Sequence, residues 1–261
     1  MWVGERMFKN LYNYRELLKS NIKKEIRGKY KGSFLGVLWS FVNPLLMVLV
    51  YAIVFPFILK DGPDNYILFI IVGILPWTFF TTSISQGTYT IIANEGIIKK
   101  VYFPREILPI SIVTSGLINF CISCIIIFVF LIITGVGFSS YVLFLPFIAI
   151  IQYILTLGIV FITSAINVYI RDAEYIINFF VSMLFYATPI LYSSDLFPAK
   201  LKWIFNLNPL GVLINGYRDS LYYQVMPDLK ALILVLIASI ILFFVGIKVF
   251  RKLEKGFAEE V

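Results

Sequence analysis

Long apolar runs broken by short polar stretches dominate the chain, and their lengths are those of membrane crossings. The pattern predicts spans over 34–59, 66–92, 108–134, 141–170, 175–191 and 229–250. The breaks carry turn chemistry: KDGPDN at 60–65, GVGFSS at 135–140, and Arg171, Asp172 and Glu174. Pro76 interrupts the second run beside Trp77, and Pro109 sits in a first turn, where proline costs little. The fourth run is long enough to require tilt or protrusion.

Ahead of the first run, Leu11, Tyr14, Leu18, Ile22, Ile26 and Tyr30 recur every three or four residues and share one helical face. Lys19, Lys23, Lys24, Arg27 and Lys31 fall on the other, which is the pattern of a helix lying in the headgroup plane. A basic helix for nucleic acid has the same composition, but direct continuation into a span argues against it, so no nucleic-acid partner is expected. Gly32 and Gly36 form a GxxxG at the interface end, a pattern that admits close helix approach.

The segment 193–227 fits neither a span nor a plain loop. It is moderately apolar yet holds Pro198, Pro209 and Pro227 with Asn206, Asn208 and Asn215, and no run of about 20 apolar residues. Parity favours a hairpin of short helices, because a seventh span would move the basic tail at 251–261 to the outside. The expected fold is an all-α membrane protein with six transmembrane helices per protomer. An N-terminal amphipathic interface helix (1–33) precedes a single transmembrane domain (34–261), with an external re-entrant helical hairpin before the last span.

Charge orients this arrangement. Seventeen Lys/Arg fall in the N-terminal segment, the 94–107 loop, at Arg171 and from Lys248 onward, against five on the other side: Lys60, Lys200, Lys202, Arg218 and Lys230. By the positive-inside rule both termini are cytoplasmic, in the inner membrane of a bacterium or archaeon. Only 14% of the residues are charged while 60% are hydrophobic, which excludes an ordinary soluble domain. The N-terminus reads as amphipathic rather than as a signal peptide.

The chain has no histidine, so it lacks the commonest metal ligand and general base. Cys121 and Cys124, three apart within an apolar span, read as packing residues. No Walker A motif is present, since RGKYKGS lacks the upstream glycine. No catalytic constellation and no metal site is visible. The near absence of ionisable residues within the spans disfavours ion-coupled transport. Energy for any transport must therefore come from another subunit.

The run RGKYKGSFLGVLWSFVNPLLMVLVYAIVF resembles the opening of permease subunits of polysaccharide-exporting ABC transporters of the type 2 exporter class. The segment GILPWTFFTTSISQGTYTIIANEGIIKKVYFPREILP resembles that family's second span and following loop. NLNPLGVLINGYRDSLY and FRKLEKGFAEEV match in style and position, so the resemblance covers nearly the whole chain in order. It implies export of O-antigen, capsular polysaccharide or teichoic acid on a lipid carrier. It also implies a homodimer of this chain paired with two copies of a separate ATPase, which would hold ATP and Mg; this chain itself needs no cofactor.

The resemblance further makes the 94–107 loop a coupling helix, with Asn94, Glu95, Lys99, Lys100, Phe103 and Arg105 meeting the ATPase; the plain alternative is a basic loop. Trp39, Phe41, Tyr51 and Phe55 in span one and Phe185, Tyr186 and Tyr192 in span five are candidates for weak, repeated contacts with a sliding polymer, against the alternative of packing. Lys23, Lys24, Arg27, Lys29 and Lys31 are candidates to attract the phosphates of the lipid carrier or of membrane lipid generally. Two other classes compete. One is a permease of this architecture exporting a drug or other small substrate. The other is a lipid-modifying membrane enzyme, for which Arg171/Asp172/Glu174 and Arg218/Asp219 are the nearest approach to a polar site.

Overall fold

The structure is a computed structural model and describes residues 9–28, 32, 34, 36–58, 63–193 and 207–260. Among them there is no strand, and the helices are α1 (Arg15–Gly28), α2 (Trp39–Ile58), α3 (Tyr66–Ala93), α4 (Glu95–Ile98), α5 (Ile107–Ile133), α6 (Phe144–Tyr169), α7 (Ala173–Ala187), α8 (Pro209–Leu221), α9 (Leu229–Leu253) and α10 (Phe257–Glu260). Among the described residues, four helical stretches are long and apolar enough to cross a membrane: Tyr66–Ala93, Ile107–Ile133, Ser140–Tyr169 and Leu229–Glu260. Shorter apolar stretches lie at Val42–Phe55 in α2 and Ala173–Ala187 in α7.

The element ends follow from local chemistry. Asn65 takes a left-handed conformation (φ 50°) ahead of α3, which asparagine tolerates better than most residues. The Asp228 carboxylate accepts from Lys230 N at 3.0 Å and Ala231 N at 3.1 Å, capping α9. Asn208 caps α8 in the same way, accepting from Leu210 N at 3.1 Å with Pro209 at the first helical position. The first turn of α7 is held from outside it, as Glu174 N donates to Asn167 Oδ1 at 3.0 Å.

Three expectations are sharpened. The fifth run continues to Leu191 in sequence, but α7 ends at Ala187. Pro189 lacks an N–H and pushes Thr188 into the extended region (ψ 135°), so the chain bends through 188–192. Pro76, by contrast, leaves α3 unbroken. Gly32 and Gly36 have positive φ angles of 83° and 49°, with nothing near where a Cβ would sit. The close approach is made instead by Gly158 of α6 and Gly246 of α9. A Cβ on Gly158 would lie 2.9 Å from Phe243 N, and one on Gly246 would collide with the Gly158 carbonyl.

Helix α3 is the centre of the bundle, packing against α2, α5, α6, α7 and α8. Helix α1 lies against α5; its Leu17 and Leu18, with Leu11 and Tyr14 just ahead of it, pack on the apolar core, while Lys23, Lys24 and Arg27 stay exposed. Of the segment expected to form the hairpin, the structure describes a single helix, α8; residues 194–206, along with Lys29 and Lys31, lie outside the described residues.

Candidate translocation groove and coupling end

Between α2, α3 and α7 lies an open groove of about 540 Å³. Met47 and Tyr51 of α2 form one wall, and Asn178, Val181, Ser182, Phe185 and Tyr186 of α7 the other. Helix α3 supplies the floor with Ile74, Trp77, Thr78, Thr81, Thr82 and Ser85, a three- and four-residue spacing that keeps them on one face. The Tyr51 ring stacks on Phe185 at 6.2 Å between centroids, Trp77 meets Phe185 at 5.6 Å, and Phe185 meets Tyr186 edge-on at 5.4 Å.

Of the aromatics expected from sequence, Tyr51, Phe185 and Tyr186 line the groove. Phe55 stands behind Tyr51 at 5.8 Å, and Tyr192 donates its hydroxyl to Tyr186 O at 2.7 Å. Trp39 opens α2 and lies about 18 Å along the helix axis from Tyr51, at ~1.5 Å per residue. The Phe41 side chain lies outside the described residues.

The hydroxyls of the groove have a particular chemistry. Thr78 Oγ1 donates to Ile74 O at 2.8 Å, Thr82 Oγ1 to Thr78 O at 2.6 Å, and Ser182 Oγ to Asn178 O at 2.8 Å. Each O–H is therefore satisfied within its own helix, while the oxygen keeps acceptor lone pairs. An empty groove leaves none of these three donors unpaired, and an occupant bringing O–H groups finds acceptors beside aromatic faces. Trp77 and these hydroxyls were not among the residues singled out from sequence. The signal was there in TFFTTSIS, where small hydroxyls recur at helical spacing.

At one end of the bundle, α3 runs into the short α4 through Asn94. Asn94 Nδ2 donates to Thr90 O at 2.8 Å, and its backbone carbonyl accepts from Ile97 N at 3.0 Å. Lys24 of α1 donates to Asn94 Oδ1 at 3.2 Å, so two groups of residues picked separately from sequence meet here. Glu95, Lys99 and Lys100 are exposed, with Ile97, Val101 and Tyr102, the last 90% exposed. Phe103 is buried, and Arg105 turns inward: its side chain bonds the Glu254 carbonyl, and its backbone N–H donates to Glu254 Oε1 at 3.2 Å.

Beside Arg105 sits Glu106, a carboxylate only 2% exposed that sequence reading passed over. Asn10 Nδ2 donates to its Oε1 at 3.0 Å; Arg251 donates to its Oε2 from Nε at 3.1 Å and from NH2 at 2.9 Å. One side chain thus joins the residues before α1, the start of α5 and the end of α9, along a cleft of about 390 Å³. Burial raises the Glu254 carboxyl above its ordinary range, partly offset by the N–H of Arg105.

At the opposite end, Arg218 of α8 is completely buried. Its NH1 donates to Pro189 O and its NH2 to Ile190 O, each at 2.5 Å, and its guanidinium lies 3.5 Å from the centroid of the Phe69 ring. The neighbouring Tyr217 donates to Gln152 Oε1 at 3.0 Å, and Gln152 Nε2 donates to Pro76 O at 2.8 Å.

A bundle of long apolar helices with an open groove and a polar turn at one end is the architecture of a membrane permease. Residues 16–222 match the family described as ABC-2 type transporter, and the chain belongs to that family. Among curated relatives it is similar to an O-antigen export system permease protein RfbA of Klebsiella pneumoniae, 38% identical over 255 residues, covering 97% of this chain and 98% of the relative. A second Klebsiella pneumoniae protein of that name is 37% identical over the same length. One from Myxococcus xanthus is 34% identical over 258 residues, covering 98% and 99%.

Proposed function

We propose that this chain is the permease subunit of an ATP-driven exporter that moves a lipid-linked polysaccharide across the cytoplasmic membrane. The observation that carries this reading is the groove between α2, α3 and α7. Aromatic faces suit sugar C–H faces, and the internally satisfied hydroxyls of Thr78, Thr82 and Ser182 accept from sugar O–H groups. Such contacts are weak and repeatable, as a polymer in transit requires. The names of the relatives support the same substrate class.

The groove is open on one side, and Tyr175, Phe179, Met183 and Tyr186 form an exposed apolar face on α7. This supports a homodimer in which a second copy closes the path. Two copies of a separate ATPase, holding ATP and Mg, dock at the exposed turn of Asn94, Glu95, Lys99 and Lys100, with Ile97, Val101 and Tyr102 as its apolar part. Lys23, Lys24 and Arg27 face the membrane surface where a phosphate-bearing lipid carrier arrives. Reconstitution with the ATPase in proteoliposomes tests the reading: lipid-linked polysaccharide should cross on ATP addition. Transport of small drugs without polymer would overturn it.

The six-span topology, with α2 and α7 as the two shorter spans and α8 outside, rests on charge asymmetry. In a background lacking Cys121 and Cys124, single cysteines at Asn65 and Ser140 should react with an impermeant maleimide in intact cells. Cysteines at Asn94 and Glu259 should react only after permeabilisation. Labelling of Glu259→Cys in intact cells would refute the arrangement.

Docking at α4 has its own test. Lys99→Glu combined with Lys100→Glu should lower stimulation of the partner ATPase while leaving membrane insertion unchanged. Exposed ion pairs are each worth under about 1 kcal/mol, so either change alone should have little effect. Unaltered stimulation in the double variant would make the turn an ordinary basic loop.

A further inference from the structure

A fully buried arginine is an unusual component for a helix at the end of an apolar bundle. Arg218 donates from NH1 to Pro189 O and from NH2 to Ile190 O, at the bend that follows α7, while its Nε is buried without a partner among the described residues, and it stacks 3.5 Å from the centre of the Phe69 ring on α3. Those carbonyls are free to accept because Pro189 ends α7, so no continuing helix claims them. Gly73 of α3 makes room for the guanidinium: a Cβ there would lie 2.9 Å from Arg218 NH2 and 3.3 Å from Ile190 O. Tyr66, at the start of α3, donates to Leu191 O at 2.7 Å and fixes the same bend from the other side.

The next residue back along α8 makes a second attachment. Tyr217 is also fully buried, and through Gln152 of α6 it reaches Pro76 O, in the middle of α3. Helix α8 is therefore held to α3 at two heights, one near Phe69 and one near Pro76. Each contact uses a buried polar group that has no water to turn to if it is broken. Helix α3 in turn spans 28 residues, about 42 Å at ~1.5 Å per residue, and passes straight into the α4 turn through Asn94.

We infer that α8, the 188–192 bend and the Tyr66–Pro76 half of α3 move as one body. Arg218 and Tyr217 are the positioning residues that tie motion of the α4 turn, carried along α3, to the polymer's exit. The exit does not open by α8 swinging away from α3. It opens when the whole unit, with the α6 turn that carries Gln152, shifts against the second copy of the chain. This rests on the export reading and on α8 lying at the outer face, so the test must distinguish failures of each.

The test uses the full complex with its ATPase, in the background lacking Cys121 and Cys124. Tyr222 bonds the Asp64 carbonyl across the α8–α3 junction, so cysteines replacing Asp64 and Tyr222 can be bridged by an impermeant bismaleimide of tyrosine side-chain length. If the unit is rigid, the bridged protein exports at the rate of the same double variant left unbridged. Export that stops on bridging overturns the inference, because α8 must then move relative to α3. Bridging that requires permeabilised cells refutes the outward placement, and the inference with it.

A second arm reads coupling directly. Arg218→Met should lower polymer exported per ATP hydrolysed by about fivefold or more, the low end for coupling between distant sites, while ATP hydrolysis continues. Arg218→Lys keeps the charge but not the planar fork, and should fall between the parent and the methionine variant. An unchanged ratio of polymer to ATP in Arg218→Met overturns the role. Should that variant fail to accumulate, the bridging experiment decides alone, since it leaves Arg218 in place.

Discussion

Replacing Glu106 with alanine is expected to destabilise the protein by about 3 kcal/mol, the lower part of the range for removing one partner of a buried ion pair. The carboxylate is 2% exposed and accepts from Asn10 and twice from Arg251, whose own side chain is 19% exposed. Without it, the Arg251 guanidinium keeps its desolvation cost and loses its counter-charge. Asn10 also loses its tie, so the segment leading into α1 should come loose from α5. Thermal aggregation in detergent should begin at a clearly lower temperature in Glu106→Ala than in the parent, with α1 cut faster by protease.

A double-mutant cycle of Glu106→Gln with Arg251→Met should show coupling above about 1 kcal/mol, within the range found for contacting pairs. If Glu106→Ala melts with the parent, the three-way contact contributes nothing and α1 is held by its apolar face alone.

That contact also shows where sequence reading stops. The long spans were legible because apolar length is itself the signal: α3, α5 and α9 begin and end within a few residues of the expected bounds. The end of α7 was not, because it depends on a single proline within a continuous apolar run. The 94–107 loop was recognisable from its mix of charge and exposed apolar groups. Its division into outward Lys99 and Lys100 and inward Phe103, Arg105 and Glu106 depends on Asn10, Arg251 and Glu254, which are far away along the chain.

The groove was half legible for a related reason. Aromatics are conspicuous in a sequence, so Tyr51, Phe185 and Tyr186 stood out. Threonine and serine in an apolar helix look like small packing residues until the helix face they occupy is seen to be open. Arg218 was read as one of the external charges, since composition places an arginine on a surface. Only the bend at Pro189 and the missing Cβ of Gly73 create the interior site that holds it.

Leucine at Tyr51, Phe185 and Tyr186 together should slow polymer export roughly tenfold. Leucine keeps an apolar side chain on the groove wall and removes the flat faces, the stacked arrangement and the tyrosine hydroxyls. Aromatic stacking on nucleic-acid bases is worth roughly 1–3 kcal/mol by alanine substitution, and sugars, lacking a π-face, should gain less. Taking about 0.5 kcal/mol per ring, three rings contribute about 1.5 kcal/mol, which is close to a factor of ten in rate if it is lost at the barrier to entry. The loss should appear in export, since each sugar must bind well enough to enter the path and weakly enough to leave it. Tyr186 is 75% exposed and Tyr51 and Phe185 are partly exposed, so membrane abundance and basal ATP hydrolysis of the complex should stay near those of the parent. Export is measured as polymer reaching the outer surface per unit time, normalised to the permease in the membrane. Parent-rate export by the leucine triple would show that these rings only pack α2 against α7, leaving Trp77 and the hydroxyls of Thr78, Thr82 and Ser182 to meet the sugar.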